Sequence, residues 1–170
     1  MFNAAFDAGL PITERTNHAL YISHYPLGRD ATVNYPDVDL RFTNDTGHWL
    51  YMRTSVTYDS LVVTLYGTPV HRRVESTAAP LVNTGPIPVQ KVKDPTLQKG
   101  KTKVQTQGVP PQSTSVERKV YAPSGKLLYD NVWHSSYRSS PTVLLVGTKK
   151  PKPKPAGGHQ PVASATTTQP

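Results

Sequence analysis

The sequence contains no cysteine, and this absence excludes several kinds of chemistry. No disulfide, thiolate metal site or cysteine nucleophile can form within the chain. Long apolar runs are missing as well, because no stretch approaches the roughly 18 apolar residues of a membrane-spanning helix. The first residues lack the basic segment and apolar stretch of a signal peptide. The sequence therefore predicts no transmembrane segment and no export signal within the chain.

Lysine is absent from the first 90 residues, and the uneven charge divides the chain. Residues 1–90 carry six Arg and eight acidic side chains, whereas residues 91–149 carry ten basic and three acidic ones. Residues 150–170 add three Lys, so the formal net charge of +8 comes from the C-terminal part. Hydrophobic residues make up only 36%, and the 17 Pro and 11 Gly favour loops and extended segments. We therefore expect a thin core.

Composition predicts two units joined by a linker and followed by a tail. The first unit covers residues 1–82 and the second covers residues 91–149, on either side of the change from Arg to Lys. The linker, residues 83–90, contains Pro, which blocks ladder hydrogen bonds and favours an extended backbone. The tail, residues 150–170, alternates Lys with Pro and then lacks large apolar side chains, so we expect disorder there.

The pattern of apolar residues predicts one short helix and many strands. Phe2, Ala5 and Phe6 share one face of a helix predicted over residues 2–8. The strongest strand signals are two successive segments with alternating side chains, and together they predict a hairpin. The predicted strands are Ala19–His24, Ala31–Tyr35, Trp49–Thr57, Leu61–Tyr66, Val70–Ser76, Lys103–Gln107, Thr114–Tyr121, Leu127–Ser136 and Val143–Val146. We therefore expect a mainly β protein whose second unit is an elongated, thin-cored β-sheet module.

A series of motifs runs through the first 44 residues. They are FNAAF, AGLPITER with Glu14 and Arg15 at its end, His18, Tyr25-Pro26-x-Gly28, Asp30-Ala31-Thr32-Val33 and Asp39-Leu40-x-Phe42-x-Asn44. In order and spacing they resemble the C-terminal half of a VanW domain, over residues 1 to about 82. The resemblance implies a truncated, mixed α/β domain whose other half and export signal precede Met1. It thereby implies an extracellular or cell-wall location.

VanW domains imply no established reaction, but two polar residues suggest a hydrolytic one. A nucleophile upstream of the chain would be joined by His18 and Asp30, as in papain-like hydrolases. Without that nucleophile we expect no enzymatic activity from the chain as given. The alternative is structural: Glu14 and Arg15 form ion pairs at the helix-to-strand turn, Asp30 caps the turn after Gly28, and His18 is a hydrogen-bonded imidazole.

No metal, cofactor or specific nucleic acid is predicted as a partner. His18 and His24 are six residues apart, and Asp30 follows after six more. This spacing matches neither helical ligand geometry nor a zinc signature. Positive charge is the single feature that supports nucleic-acid binding. The sequence shows no recognition helix, aromatic RNA motif or zinc knuckle.

Four glycines stand at regular landmarks in the second unit: Gly100, Gly108, Gly125 and Gly147. Together with the motifs Asp94-Pro95-x-Leu97 and Val146-Gly147-Thr148, they resemble a G-five domain, although Pro111 stands where the family often has another glycine. The resemblance implies a slender β module of surface adhesins and wall-remodelling enzymes. Such modules are proposed to bind glycans that contain N-acetylglucosamine, and some self-assemble.

Four aromatic residues are the candidate glycan-binding side chains, because aromatic faces stack on sugar rings. They are Tyr121, Tyr129, Trp133 and Tyr137. The alternative is that they fill the small core. We predict a bacterial cell-envelope protein that binds peptidoglycan or N-acetylglucosamine-containing glycans through residues 91–149. Its expected partners are peptidoglycan or other anionic wall polymers, and it is expected to be capable of self-association. Two alternatives remain, an inactive fragment of a wall-modifying enzyme and a structural surface stalk.

Overall fold

The computed structural model describes residues 1–150 as mainly β structure with one short N-terminal helix, which confirms the predicted fold class. Apart from Lys150, the predicted disordered tail lies outside the described residues. No helix in the described part is long and apolar enough to cross a membrane. The elements in chain order are α1 Phe2–Asp7, β1 Ile12–Glu14, β2 Arg41–Phe42, β3 Leu50–Val56, β4 Leu61–Gly67, β5 Arg73–Ala78, β6 Val82–Asn83, β7 Val89–Gln98, β8 Thr102–Thr106, β9 Gln112–Tyr121, β10 Leu127–Tyr137 and β11 Thr142–Lys149.

The central sheet has the strand order β10–β9–β5, and β6 pairs with the other end of β9. All of these pairs are antiparallel, with Trp133 opposite Val116 and Val74 opposite Val120. Strand β5 belongs to the first predicted unit, whereas β9 and β10 belong to the second. The sheet therefore joins the two units by backbone hydrogen bonds, and the unit boundaries drawn from composition stay a prediction.

A second sheet has the order β7–β11–β8, with β7 parallel and β8 antiparallel to β11. Nearly all residues of β7 and β8 are exposed to solvent. Pro95 is tolerated because β7 is an edge strand, where a missing N–H donor costs no ladder bond. This sheet has little apolar interior, as expected for a thin-cored module.

Strands β3 and β4 form the predicted hairpin, with Tyr51 opposite Tyr66. The strands predicted at Ala19–His24 and Ala31–Tyr35 are wrong, because both segments are irregular apart from a single bridge at Asn34. The backbone groups of these segments bond to turns and to other loops, as in the bonds from the Thr32 N–H to the Thr16 carbonyl and from the Arg138 N–H to the Ala19 carbonyl.

The main core lies between α1 and the inner face of β9 and β10. Phe2, Phe6, Leu40 and Val116 form one buried cluster, and Trp133 packs against it. Alternate residues of β9 are buried, which is the period of a strand with one covered face. The first predicted unit thus covers a sheet face that belongs mostly to the second unit.

Gly147 lies in the middle of the second sheet, where β7 approaches β11 closely. A Cβ atom at this position would overlap the carbonyl oxygen of Gln98 and would lie 2.7 Å from that of Leu97. Gly125 occupies the β9–β10 turn with φ of 83°, and nothing lies within 4 Å of a Cβ atom there. The two glycines therefore satisfy different requirements, close packing at Gly147 and a left-handed backbone at Gly125.

Gly147→Ala should destabilise the protein by about 3 kcal/mol or more, because the added methyl group must displace backbone atoms. Gly125→Ala is the matched control, and it should cost roughly 1–2 kcal/mol from its backbone conformation alone. Urea unfolding of both variants measures the free energies. Equal losses in the two variants would contradict the close approach of β7 and β11 at Gly147.

Candidate functional site at a buried charge network

An ion pair between Arg15 and Asp30 lies at the centre of the junction between the two units. Their side chains are 2% and 4% exposed, and Arg15 Nη2 lies 3.1 Å from Asp30 Oδ1. Arg15 directly follows β1, and its Nε donates to the Asp30 carbonyl oxygen at 2.7 Å. Its Nη2 also donates to the Gly28 carbonyl and to Ser135 Oγ on β10. The guanidinium therefore binds both units.

The Asp30 carboxylate accepts further hydrogen bonds from His18 and Tyr137. The His18 backbone N–H donates to Oδ2 at 2.7 Å, and the His18 ring Nδ1 lies 3.0 Å from the same oxygen. The Tyr137 hydroxyl on β10 donates to Oδ1 at 2.8 Å. Arg15, His18, Asp30 and Tyr137 are all residues for which the sequence predicted a role, and the structure brings all four together.

Burial and hydrogen bonding act in opposite directions on the pKa of Asp30. Burial raises the pKa, but the His18 backbone N–H, the Tyr137 hydroxyl, the His18 ring and the Arg15 charge lower it to below its usual value. Burial and the bond to Asp30 raise the pKa of Tyr137 to about 12. Asp30 is therefore ionised and Tyr137 protonated at neutral pH.

His18 lies at the edge of this network and lines a surface cleft. Its side chain is 26% exposed, and its ring stacks on that of Tyr25 with centroids 5.6 Å apart. The cleft has a volume of about 350 Å³. Its lining residues are Thr16, Asn17, His18, Ala19, Thr32, Val38, Ser136 and Arg138. It is formed by the loops of the first unit and the end of β10.

A second buried cation, Arg118 on β9, lies deeper in the same junction. Its Nη atoms donate to the carbonyl oxygens of Phe6 and Leu10 at 3.1 and 3.0 Å. Its guanidinium carbon is 5.0 Å from the ring centres of both Phe6 and Trp133. Burial, together with nearby Arg29, lowers the pKa of Arg118 to about 10, so it remains charged at neutral pH. Arg118 thus binds the end of α1 to the central sheet.

The four aromatic candidates all make contacts with the first unit, and for Tyr121 this contact is with Arg73 of β5. Tyr137 is 4% exposed, and Trp133 packs against Phe2 and Phe6. The Tyr129 hydroxyl donates to Asp45, and the guanidinium of Arg73 lies 4.1 Å from the centre of the Tyr121 ring. The buried ring of Tyr137 could stack on a sugar only if the junction opened.

The motif residues Glu14 and Arg15 form separate ion pairs. Glu14 pairs with exposed Arg41 at 3.3 Å, whereas Arg15 pairs with Asp30. Gly100 and Gly28 both have positive φ, as turns require. Gly108 is buried against the backbone of Ser140, Pro141 and Thr142.

Arg118, Ser135 and Arg138 are not among the site residues predicted from the sequence. Arg118 could have been found, because it interrupts an apolar series in which Val116 and Val120 share its face of β9. Ser135 and Arg138 carry no comparable signal in the sequence. Within residues 1–150, no group of three or more His, Cys, Asp or Glu could hold a metal ion.

Comparison with known protein families assigns both parts of the chain. Residues 1–66 match the family described as VanW like protein, and residues 82–149 match the G5 domain. The two matches follow one another along the chain, and each covers less than half of it. The chain consists of a VanW-like segment followed by a G5 domain.

Individual relatives match only parts of this arrangement. The uncharacterized protein YoaR of Bacillus subtilis (strain 168) is 37% identical over 70 residues, which are 41% of this chain and 23% of YoaR. The solved HP0197-G5 structure is 19% identical, with a TM-score of 0.26, and covers 45% of this chain and 99% of its own. The IgA1 protease G5 domain is 20% identical, with a TM-score of 0.28, and covers 48% and 100%.

Tyr137→Phe should destabilise the protein by about 1–2 kcal/mol, because the buried Asp30 carboxylate loses one donor. Since the folded-state pKa of Asp30 is lowered, its contribution is present above the unfolded-state pKa and disappears as the pH falls through the folded value. The loss from the substitution should therefore shrink below about pH 4.

Tyr121→Phe is the matched control, because the Tyr121 hydroxyl has no hydrogen-bond partner among residues 1–150. Urea unfolding at pH 7 and at pH 3 measures both variants. Equal stability of the two variants at pH 7 would contradict the role of the Tyr137 hydroxyl.

Proposed function

We propose that the chain is a noncatalytic cell-envelope protein that binds wall polymers through its G5 domain. Both matched families are typical of cell-envelope proteins, which supports this setting. The observation that carries the proposal is a set of exposed lysines on the second sheet and its turn. This lysine surface consists of Lys91, Lys93, Lys99, Lys101, Lys103 and Lys149.

Strand register determines how these lysines are distributed. Lys91 and Lys93 lie on one face of β7, where they pair with Leu144 and Val146 of β11. Lys103 pairs with Leu145 and so lies on the opposite face. Positive charge is therefore present on both faces of a sheet that is exposed on both sides.

Three further lysines meet at one end of the sheet. The backbone N–H of Lys99 donates to the Lys149 carbonyl at 3.0 Å, and that of Lys101 donates to the Gln98 carbonyl at 3.0 Å. We call Lys99, Lys101 and Lys149 the basic tip. None of the six lysines forms a salt bridge within residues 1–150, and Asp94 is the one acidic residue in β7, β8 and β11.

A long wall polymer suits this surface better than a small ligand does. The lysines are spread along an elongated sheet, so successive negative groups of one polymer can each approach a cation. Peptidoglycan and its attached anionic polymers supply such groups, and the G5 match supports a glycan as the backbone. The four aromatic candidates remain proposed glycan contacts, with Tyr121 and Tyr129 less buried than Tyr137.

A sedimentation assay with purified peptidoglycan tests the proposal. Lys99→Gln, Lys101→Gln and Lys149→Gln together should lower the fraction of protein that sediments. Binding of the unsubstituted protein should fall between about 0.1 and 1 M NaCl, because the Debye length shrinks from about 10 Å to about 3 Å. Sacculi stripped of anionic polymers would distinguish the glycan from those polymers.

The matched control removes the same charge elsewhere, with Arg53→Gln, Lys119→Gln and Lys126→Gln. These side chains lie outside β7, β8 and β11, on β3, on β9 and in the turn that follows β9. Similar losses in the two triple variants would show that net charge, and not the basic tip, controls binding. Failure of the unsubstituted protein to sediment at low salt would favour the structural stalk.

A further inference from the structure

We propose that the cleft beside His18 binds a small ligand that carries a carboxylate group. This cleft lies in the junction, away from the lysine surface, and neither matched family description assigns it a ligand. Its volume of about 350 Å³ is within the size range of small-molecule sites. Three independent features support the proposal: an oriented imidazole, a cation that forms no salt bridge with residues 1–150 and a buried hydroxyl that has no partner among those residues.

The His18 ring is held in a fixed orientation by a buried carboxylate. Nδ1 lies 3.0 Å from Asp30 Oδ2, and Asp30 is itself held by Arg15 and Tyr137. The other ring nitrogen, Nε2, has no hydrogen-bond partner among residues 1–150. Because ionised Asp30 only accepts, Nδ1 is the donor, and Nε2 of the neutral ring can accept a hydrogen bond from a ligand amide N–H without any change to the network.

Arg138 gives the cleft its charge. Its backbone N–H donates to the Ala19 carbonyl at 2.7 Å, which fixes this residue at the edge of the cleft. In the described part of the chain, the guanidinium of Arg138 forms no salt bridge, and no carboxylate lines the cleft. Asp30 lies behind His18 and is paired with Arg15, so the cleft presents a positive charge to solvent. A carboxylate fits the planar guanidinium because its two oxygens can accept two parallel hydrogen bonds from it.

Thr32 supplies a polar group that the folded chain leaves unsatisfied. Its Oγ1 is buried and has no hydrogen-bond partner within residues 1–150. An unsatisfied buried hydroxyl is costly, and a shift of the Thr32 side chain that lets a ligand in the cleft bond to Oγ1 would remove that cost. Ala19 and Val38 line the same cleft and provide apolar contact for a short aliphatic group. The cleft therefore fits a compact molecule that has one anionic end.

NMR titration of the full chain with N-acetylglycine tests the inference directly. N-acetylglycinamide is the control ligand, because it has the same shape without the negative charge. We expect N-acetylglycine to shift the resonances of His18 and Thr32, and the amide to shift them at least about tenfold more weakly. Inorganic phosphate is the third probe, and equal binding of phosphate would overturn the preference for a carboxylate.

Arg138→Gln should weaken binding of N-acetylglycine by about tenfold. Arg53→Gln is the matched control, because Arg53 is also an exposed arginine, on the β3–β4 hairpin away from the cleft lining, and it should leave binding unchanged. Unchanged binding in Arg138→Gln, or equal weakening in both variants, would overturn the proposal.

Thr32→Val separates ligand binding from a role in folding. Because Thr32 Oγ1 has no partner in the described part of the chain, its removal should leave the melting temperature unchanged or raise it, while binding of N-acetylglycine weakens several-fold. A lower melting temperature with unchanged binding would show that the hydroxyl serves the fold and would overturn its part in the site. If N-acetylglycine does not shift the resonances of His18, the cleft is not a binding site for carboxylates, and this result would leave sedimentation with peptidoglycan unaffected.

Discussion

Removal of the Asp30 carboxylate from water is costly, and the fold provides enough donors to offset that cost. Arg15 supplies the opposite charge, His18 supplies a backbone N–H, and Tyr137 supplies a hydroxyl. Two of these donors precede Asp30 in the VanW-like segment, and the third is on β10 of the G5 domain. All of these hydrogen bonds to the carboxylate form only while both parts are in contact. The VanW-like segment and the G5 domain therefore form one structural unit in this chain.

The same junction determines where a partner can bind. Aromatic side chains of β10 face inward, where Trp133 packs against Phe2 and Phe6 and Tyr137 reaches Asp30. The side chains that are exposed to solvent and able to bind a partner lie on two separate surfaces. The second sheet presents lysines to solvent on both faces, and the cleft at the edge of the junction presents His18 and Arg138. A long anionic polymer suits the first surface, and a small carboxylate suits the second.

Local features of the fold were predictable, and those that depend on long-range pairing were not. The helix α1 and the β3–β4 hairpin follow from periodicity over a few residues. Ala19–His24 also contains strand-forming residues, but the neighbouring backbone is fixed by side-chain bonds to Arg15 and Asp30. The motif residues Arg15, His18 and Asp30 were identified from sequence, whereas Arg138 carried no signal because its part in the cleft depends on the end of β10.

By itself, the sequence determined the mainly β class, the order of the two family segments and the concentration of lysine after residue 90. These follow from composition, short-range periodicity and motif spacing, which do not depend on distant contacts. The tertiary structure alone decided that Tyr137 completes the environment of Asp30, 107 residues away, and that Arg118 binds the carbonyls at the end of α1. Burial of a charge requires donors from any part of the chain that can reach it, and only the folded structure determines which ones do.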